Sequence, residues 1–272
     1  MPRARATLRH REMVAPGHYL LHLDCPEVAE ESHPGQFVHL RVGDGTDPLL
    51  RRPFSVMLAQ PATAEVQLLV RTVGRGTEII ATHEEGTRYD LLGPLGRGWT
   101  MPAGREDTLL VAGGVGVAPL IFLADRLRTA DLQPYVRALF GGATQDALVC
   151  WTEFAARCDE FTAVTEDGSA GERGLVTQVL AAEIERDRPD RVYACGPDAM
   201  LAVVARMCAE SGVPCEVSME QWMGCGIGAC LGCVIPTGAS GTRRYQRVCK
   251  DGPVFNAQVV DWEAIRRGCT PG

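Results

Sequence analysis

Apolar positions along this chain change rhythm near residue 104. Before that point they come in short stretches that alternate with polar residues or stay apolar for a few positions. Phe37-Val-His-Leu-Arg-Val42 and Glu65-Val-Gln-Leu-Leu-Val-Arg-Thr-Val73 are of this kind, and Pro34-Gly35, Gly43-Asp-Gly45 and Gly93-Pro94 punctuate them. Such runs bounded by turn residues predict strands. A succession of them predicts an antiparallel β-barrel over residues 1–103.

Beyond residue 104 longer apolar runs take turns with helical spacing. Asp107-Thr-Leu-Leu-Val-Ala112 reads as a buried strand, Gly113-Gly-Val-Gly-Val-Ala-Pro119 as a turn and Leu120-Ile-Phe-Leu-Ala-Asp-Arg-Leu127 as an amphipathic helix. Further strands are expected at Val136–Phe140, Phe161–Thr165 and Arg191–Ala194, and helices near 175–185 and 198–211. Alternating strands and helices predict an α/β doubly wound parallel sheet over residues 104–214. Residues 215–272 are too few for a further complete domain and predict a compact C-terminal appendage.

Composition narrows the function classes. With 272 residues, 46% of them hydrophobic, the chain can bury two cores. A net charge of −7 argues against general nucleic-acid binding. No stretch approaches the apolar length of a membrane span, so none is expected. Met1 to His10 is basic and polar without a signal-peptide core, and the chain holds 11 cysteines. Both facts predict a reducing compartment, hence a cytoplasmic protein. All six histidines precede residue 90, which leaves the later part without histidine chemistry.

Four of the cysteines, Cys225, Cys230, Cys233 and Cys249, read C-x4-C-x2-C-x15-C. This spacing matches plant-type ligation of a [2Fe–2S] cluster. Gly224, Gly226, Gly228 and Gly232 let the backbone wrap tightly and turn N–H groups toward sulfur. Four-cysteine zinc, the alternative, usually shows two C-x2-C knuckles, and here there is one. Cys25, Cys150, Cys158, Cys208, Cys215 and Cys269 read as structural thiols.

Weaker motifs precede them. The glycine turn at 113–119 follows a strand and opens a helix, the setting in which backbone N–H groups hold a dinucleotide's phosphates. Pro119 stands where a third glycine of the usual fingerprint would fall, and suits a first helical turn. A merely tight strand–helix turn is the other reading. In Arg52-Pro-Phe-Ser55 the arginine is suited to a diphosphate and the serine to a flavin ring edge, or both belong to a solvated turn. Arg71 and Gly74-Arg-Gly76-Thr77 are similar phosphate candidates. Cys195-Gly196-Pro197 ends the last predicted parallel strand, where ligands of such sheets bind, or Cys195 is structural.

Taken in this order, the barrel Arg-x-x-Ser, Gly-x-Gly-x-x-Pro, Cys-Gly-Pro and the four cysteines resemble the ferredoxin reductase-like flavoproteins. The C-terminal cysteines narrow the resemblance to the electron-transfer subunit of class B dihydroorotate dehydrogenase. That resemblance implies FAD at Arg52, Pro53, Phe54, Ser55, Leu69, Val70, Arg71, Gly76 and Thr77. It implies NAD(H) at Gly113, Gly114, Gly116, Pro119, Cys195, Gly196 and Pro197, and the cluster on the four cysteines. It further implies an FMN-containing catalytic subunit as partner in a heterotetramer of two plus two. Electrons from dihydroorotate would pass through the partner's FMN, the cluster and FAD to NAD+, in pyrimidine synthesis. A flavin between a one-electron cluster and a hydride acceptor converts between the two modes. No nucleophile or general base is expected in this chain.

Thr165-Glu166-Asp167-Gly168 follows a predicted strand where related NADPH-using reductases place a basic group. A carboxylate at Glu166 repels a 2′-phosphate and predicts NADH over NADPH. Two rivals remain at this point. One is a flavin and iron–sulfur reductase subunit of another complex, linked to ferredoxin and NADP, sulfide or hydrogen. The other is a zinc-stabilised nucleotide-binding regulator.

Overall fold

A computed structural model of the protein describes residues 3–43, 45–238 and 244–268. Asp44 of the expected Gly43–Gly45 turn and Cys269 lie outside the described residues.

Six antiparallel strands close the barrel: β1 (Arg3–Ala15), β2 (His18–Asp24), β3 (Phe37–Leu40), β4 (Arg52–Gln60), β5 (Glu65–Arg71) and β6 (Arg88–Leu95). Their order is β1-β2-β5-β4-β3-β6, and β6 returns to β1. Gly17, at φ +69°, turns the β1–β2 hairpin in a conformation that L side chains rarely adopt. Short helices α1 (Pro26–Glu31) and α2 (Arg75–Ile80) fill the connections. Leu21, Leu23, Val38, Leu40, Val56, Leu68 and Leu91 fill the interior.

Two details differ from the sequence expectation. Arg52–Ser55 opens β4 rather than forming a solvated turn, and Arg-Pro-Phe-Ser-Val-Met hides it because it lacks the period of two that marks a half-buried strand. Gly93 and Pro94 lie inside β6 rather than in a turn. They sit where the β3–β6 register slips between Phe37 and His39, a bulge that tolerates both residues.

The second sheet has the order β10-β9-β8-β7-β11-β12-β15. Its strands are β7 (Asp107–Gly113), β8 (Tyr135–Gly142), β9 (Glu160–Thr165), β10 (Glu172–Arg173), β11 (Arg191–Cys195), β12 (Cys215–Ser218) and β15 (Val254–Asn256). All pair in parallel except β15, which runs antiparallel to β12. Side-chain alternation divides the core in two. Leu109, Val111, Leu139 and Val192 face helices α5 (Val176–Arg186) and α6 (Asp198–Ser211). Leu110, Ala112, Phe140 and Tyr193 face α3 (Val117–Arg128) and α4 (Trp151–Ala155).

Barrel and sheet share a wall. Leu20, Met57 and Leu69 of the barrel join the core around α3, and Phe122 of α3 enters the barrel core. Arg126 donates to the Ala59 carbonyl at 3.2 Å. After Ser218 the chain leaves the sheet, forms the ribbon β13 (Val234–Thr237) with β14 (Arg244–Arg247), returns as β15 and ends in α7 (Trp262–Arg266). The sequence division at 214/215 thus falls just before β12, a strand of the parallel sheet. No helix among the described residues is long and apolar enough to cross a membrane.

Candidate cofactor and cluster sites

The order of strands reverses between β7 and β11, parallel neighbours in the sheet, with Cys195 opposite Ala112. Ligands of such sheets bind outside the carboxyl ends at that crossing. The glycine turn and the Cys-Gly-Pro segment meet there. A Cβ on Gly116 would lie 2.4 Å from the Cys195 carbonyl oxygen, and one on Gly113 would lie 2.8 Å from Met200 Sδ. At Gly116 glycine is needed because the neighbouring atoms are backbone, while at Gly113 a side chain would press on Pro197 and Met200. Pro119 falls in the first turn of α3, as its missing N–H allows.

Burial pushes the Cys195 thiol up to about 12, which keeps it protonated at neutral pH. Two carboxylates overlooked in the sequence stand nearby. Asp198 opens α6 and Glu220 follows β12; both are solvent-accessible. Desolvation nonetheless raises both above the carboxylate range, and the charge of Asp198 raises Glu220 further. The charge of Arg71, at the end of β5, opposes that shift of Glu220, which brings the end of this barrel strand near the end of β12. The available sequence signal was an acid just past the carboxyl end of a parallel strand.

Glu166 lies at the carboxyl end of β9, on the same edge as the glycine turn, with its N–H bonded to the Gly142 carbonyl at 3.1 Å. Asp167 is turned to Ser169 instead, accepting from its N–H at 2.9 Å and its hydroxyl at 2.6 Å.

On the barrel, Arg52 and Gly76 come together although 24 residues apart in number. A Cβ on Gly76 would lie 2.7 Å from Arg52 Nε. Thr77 ties the turn by accepting from Val73 N and donating to the Gly74 carbonyl, both at 2.9 Å. Pro53, Phe54 and Ser55 on β4 are half-buried and Arg71 at the end of the adjacent β5 is exposed, whereas Leu69 and Val70 are buried, Val70 in the barrel core.

The cysteine segment from Met219 to Cys233 has neither strand nor helix. Its order comes from backbone N–H groups aimed at sulfur. Cys225 Sγ accepts from Ile227, Ala229 and Cys230 at 3.5, 3.3 and 3.4 Å. Cys230 Sγ accepts from Gly232 and Cys233 Sγ from Cys249, each at 3.5 Å. Gly226 and Gly228, at φ +70° and +85°, permit the wrap. Burial raises the Cys225 thiol, but the N–H groups of Ile227 and Cys230, the Cys230 thiol and the Ala229 N–H bring it down to about 6.

The thiols interact in two pairs, Cys225 with Cys230 and Cys233 with Cys249. Among the described residues no three His, Cys, Asp or Glu side chains gather closely enough for one metal ion. A two-iron cluster instead takes two thiolates at each iron, so the pairing and the sulfur-directed N–H groups fit that group. Arg247 braces both halves: Nε and Nη2 hold Asp251 at 2.9 Å each, and Nη1 donates to the Gly228 carbonyl at 3.1 Å.

This loop leans on the barrel. Arg97 N donates to the Gly252 carbonyl at 2.6 Å, and the ring of His39, on β3, packs against Gly226. His39 is wholly buried and neither ring nitrogen has a hydrogen-bond partner. The carbonyls of Arg51 and Cys225 lie near enough to favour its charged form without reaching bonding geometry. Burial, then the Arg51 charge, lowers its pKa to about 4, so the ring is neutral. An unpaired buried polar group costs about 1–3 kcal/mol. Its only sequence signal was a polar residue within the apolar run Phe37–Leu40.

Comparison with known proteins gives two family matches: an oxidoreductase NAD-binding domain over residues 110–206, and the iron-sulfur cluster binding domain of dihydroorotate dehydrogenase B over residues 220–261. The chain is 39% identical over 251 residues to the dihydroorotate dehydrogenase B (NAD(+)) electron transfer subunit of Desulforamulus reducens, covering 92% of this chain and 95% of that one. It is 41% identical over 261 residues to the subunit of the same description from Geobacillus thermodenitrificans, covering 95% and 98%. Among solved structures, a chain of the NADH-dependent reduced ferredoxin-NADP oxidoreductase superposes with a TM-score of 0.84 at 30% identity, covering 96% of this chain and 91% of that one.

Proposed function

This chain belongs to the electron transfer subunits of dihydroorotate dehydrogenase B, and from that premise we propose how its parts divide the work. The protein is an oxidoreductase subunit that delivers electrons to NAD+ in the pyrimidine pathway, with a [2Fe–2S] cluster and FAD as carriers. FAD supplies the conversion between single-electron transfer and hydride transfer. Residues 1–103 hold FAD, residues 104–214 hold NAD(H), and residues 215–272 hold the cluster, with β12 lent to the nucleotide sheet.

Arg52, lying across Gly76, neutralises the FAD diphosphate, while Ser55, Leu69, Val70 and Arg71 line the flavin beside it. The Gly113–Pro119 turn and Cys195-Gly-Pro197 bring backbone against the NAD(H) phosphates and nicotinamide. The Cys195 thiol stays protonated and packs rather than attacks. Glu166 accepts from the ribose hydroxyls and excludes a 2′-phosphate. Cys225, Cys230, Cys233 and Cys249 ligate the cluster.

Oxidation of dihydroorotate resides on an FMN-containing partner, in an assembly of two copies of each subunit. The partner docks where the cluster side of the loop is bare. Cys230 is exposed there, and Trp222 and Leu231 present 89% and 59% of their surface. The observation that supports this division is the contact of the cysteine loop with the barrel through His39 and Arg97, His39 lying opposite Pro53 of β4.

The test is anaerobic NADH formation from dihydroorotate and NAD+ by this protein mixed with an FMN-type dihydroorotate oxidase. NADH only in the mixture is the expected result. No NADH, with FAD and cluster absorbance intact and the partner active, removes the dihydroorotate step. It would turn the reading toward another reductase complex, as the ferredoxin-linked structural neighbour suggests.

A further inference from the structure

We propose that His39, a barrel residue outside the cysteine motif, donates its ring N–H to a sulfur of the cluster or of its ligands and thereby sets the cluster's reduction potential. Resting on the cluster assignment above, it adds a second-domain residue to a site whose ligands all come from the C-terminal segment.

Three observations carry it. First, the ring is wholly buried and neither nitrogen is in bonding geometry with a partner, the Arg51 and Cys225 carbonyls lying near without meeting it, although a neutral imidazole has one donor and one acceptor to satisfy. Buried polar groups are hydrogen-bonded in the great majority of cases, so an unpaired one calls for a partner not yet in place. Second, the ring is aimed at the cluster loop. A Cβ on Gly226, the residue after Cys225, would lie 2.4 Å from His39 Nδ1 and 3.0 Å from its Cγ. Glycine at this position gives the imidazole its room. Third, the position asks for an apolar residue on every other ground. Phe37, Val38 and Leu40 on the same strand are all buried, and a leucine would fill the space without an unpaired donor.

A hydrogen bond to sulfur favours the more negative, reduced cluster and raises its potential. On the barrel, His39 pairs with Pro53 in the register of β3 with β4. The same residue therefore touches the cluster loop with its ring and the proposed flavin strand with its backbone.

The experiment is a redox titration of the purified holoprotein, with iron and labile-sulfide content measured alongside, for wild type, His39→Leu and His39→Gln. Pulsed EPR of the reduced cluster follows, with 15N confined to the histidine rings. In wild type a weak imidazole coupling is expected, and it disappears in labelled His39→Gln. His39→Leu is expected to shift the oxidised-to-reduced ratio at fixed potential by about tenfold toward oxidised, or about 59 mV lower for a one-electron couple. His39→Gln, which keeps an N–H donor, should recover most of that shift. A fully loaded His39→Leu protein with wild-type potential overturns the proposal. So does a wild-type cluster signal without imidazole coupling, which decides the matter even when the leucine variant does not load. Absence of any [2Fe–2S] signal from wild type sinks the cluster assignment itself, a separate and recognisable failure.

Discussion

At the carboxyl ends of β7 and β11 the backbone is held by hydrogen-bonded ladders on both sides, whereas from Met219 to Cys233 the chain has neither strand nor helix. The first region is shaped before any ligand arrives: Gly113 and Gly116 are packed against Met200 and Cys195 by the sheet itself. The second is ordered by N–H groups converging on the sulfurs of Cys225, Cys230 and Cys233 and by the Arg247–Asp251 brace. In the nucleotide cleft, packing creates the site. In the cysteine loop, the ligand set creates the local structure, and metal binding is part of its folding free energy.

The largest test of this contrast is Cys233→Ala. Cys233 is buried and pairs with Cys249, so iron and labile sulfide should fall by more than about tenfold. The barrel and sheet should keep their circular dichroism, their FAD and their cooperative thermal transition. Global unfolding of this variant would break the contrast.

Gly116→Ala is the converse. Its Cβ would meet the Cys195 carbonyl at 2.4 Å, and backbone cannot yield as a side-chain tip does. Overpacking of this kind costs about 1–3 kcal/mol, to be read from denaturant unfolding. NADH affinity should fall with it, while iron content stays at the wild-type level.

Asp90→Ala probes the barrel scaffold alone. The carboxylate accepts from Arg3 Nη2 at 2.6 Å and Arg51 Nη2 at 2.7 Å. Burial alone would raise its pKa, but the two guanidiniums hold it below the ordinary 3.8. The folded state therefore binds this proton less readily than the unfolded chain. The stabilisation is fully present above the ordinary value and disappears as pH falls through the folded one. We expect a loss of about 1–2 kcal/mol at pH 7 that closes below about pH 4. A gap unchanged at pH 3 would assign the effect to packing.

Glu166→Arg should have the smallest effect, within one substrate ratio. The NADH over NADPH preference in kcat/KM is expected to narrow by about tenfold, the size of one charge contact. Stability should not move, because the side chain is exposed at a strand end.

Legibility from sequence follows the same contrast in reverse. Alternation in Glu65–Arg71 and the buried run Asp107–Gly113 announced the barrel and the parallel sheet, because periodicity is imposed by the solvent boundary. It failed at Arg52–Gln60, where apolar residues run together, and at Gly93-Pro94, where a bulge absorbs residues that usually end strands. The short strands Cys215–Ser218 and Val254–Asn256 are set by their neighbours in the sheet, not by their own propensity. The cysteine quartet was plain because ligand spacing is fixed by chemistry rather than by packing. Asp198, Glu220 and His39 were not, since each matters only through elements far away in the chain.

β12 and β15 lie side by side, with Ser218 opposite Val254 and Glu216 opposite Asn256. The described residues between Met219 and Pro253 therefore lie outside the sheet, and the chain comes back across a single ladder step. In the sheet's connectivity, the iron-binding segment is a long excursion within one β-hairpin at the sheet's edge. Closing a long loop whose ends are already joined adds little entropy per residue, so such a segment can be lengthened, exchanged or shed while the strands keep their order. The antiparallel return also covers the edge of β12, so whatever replaces the excursion inherits a capped sheet.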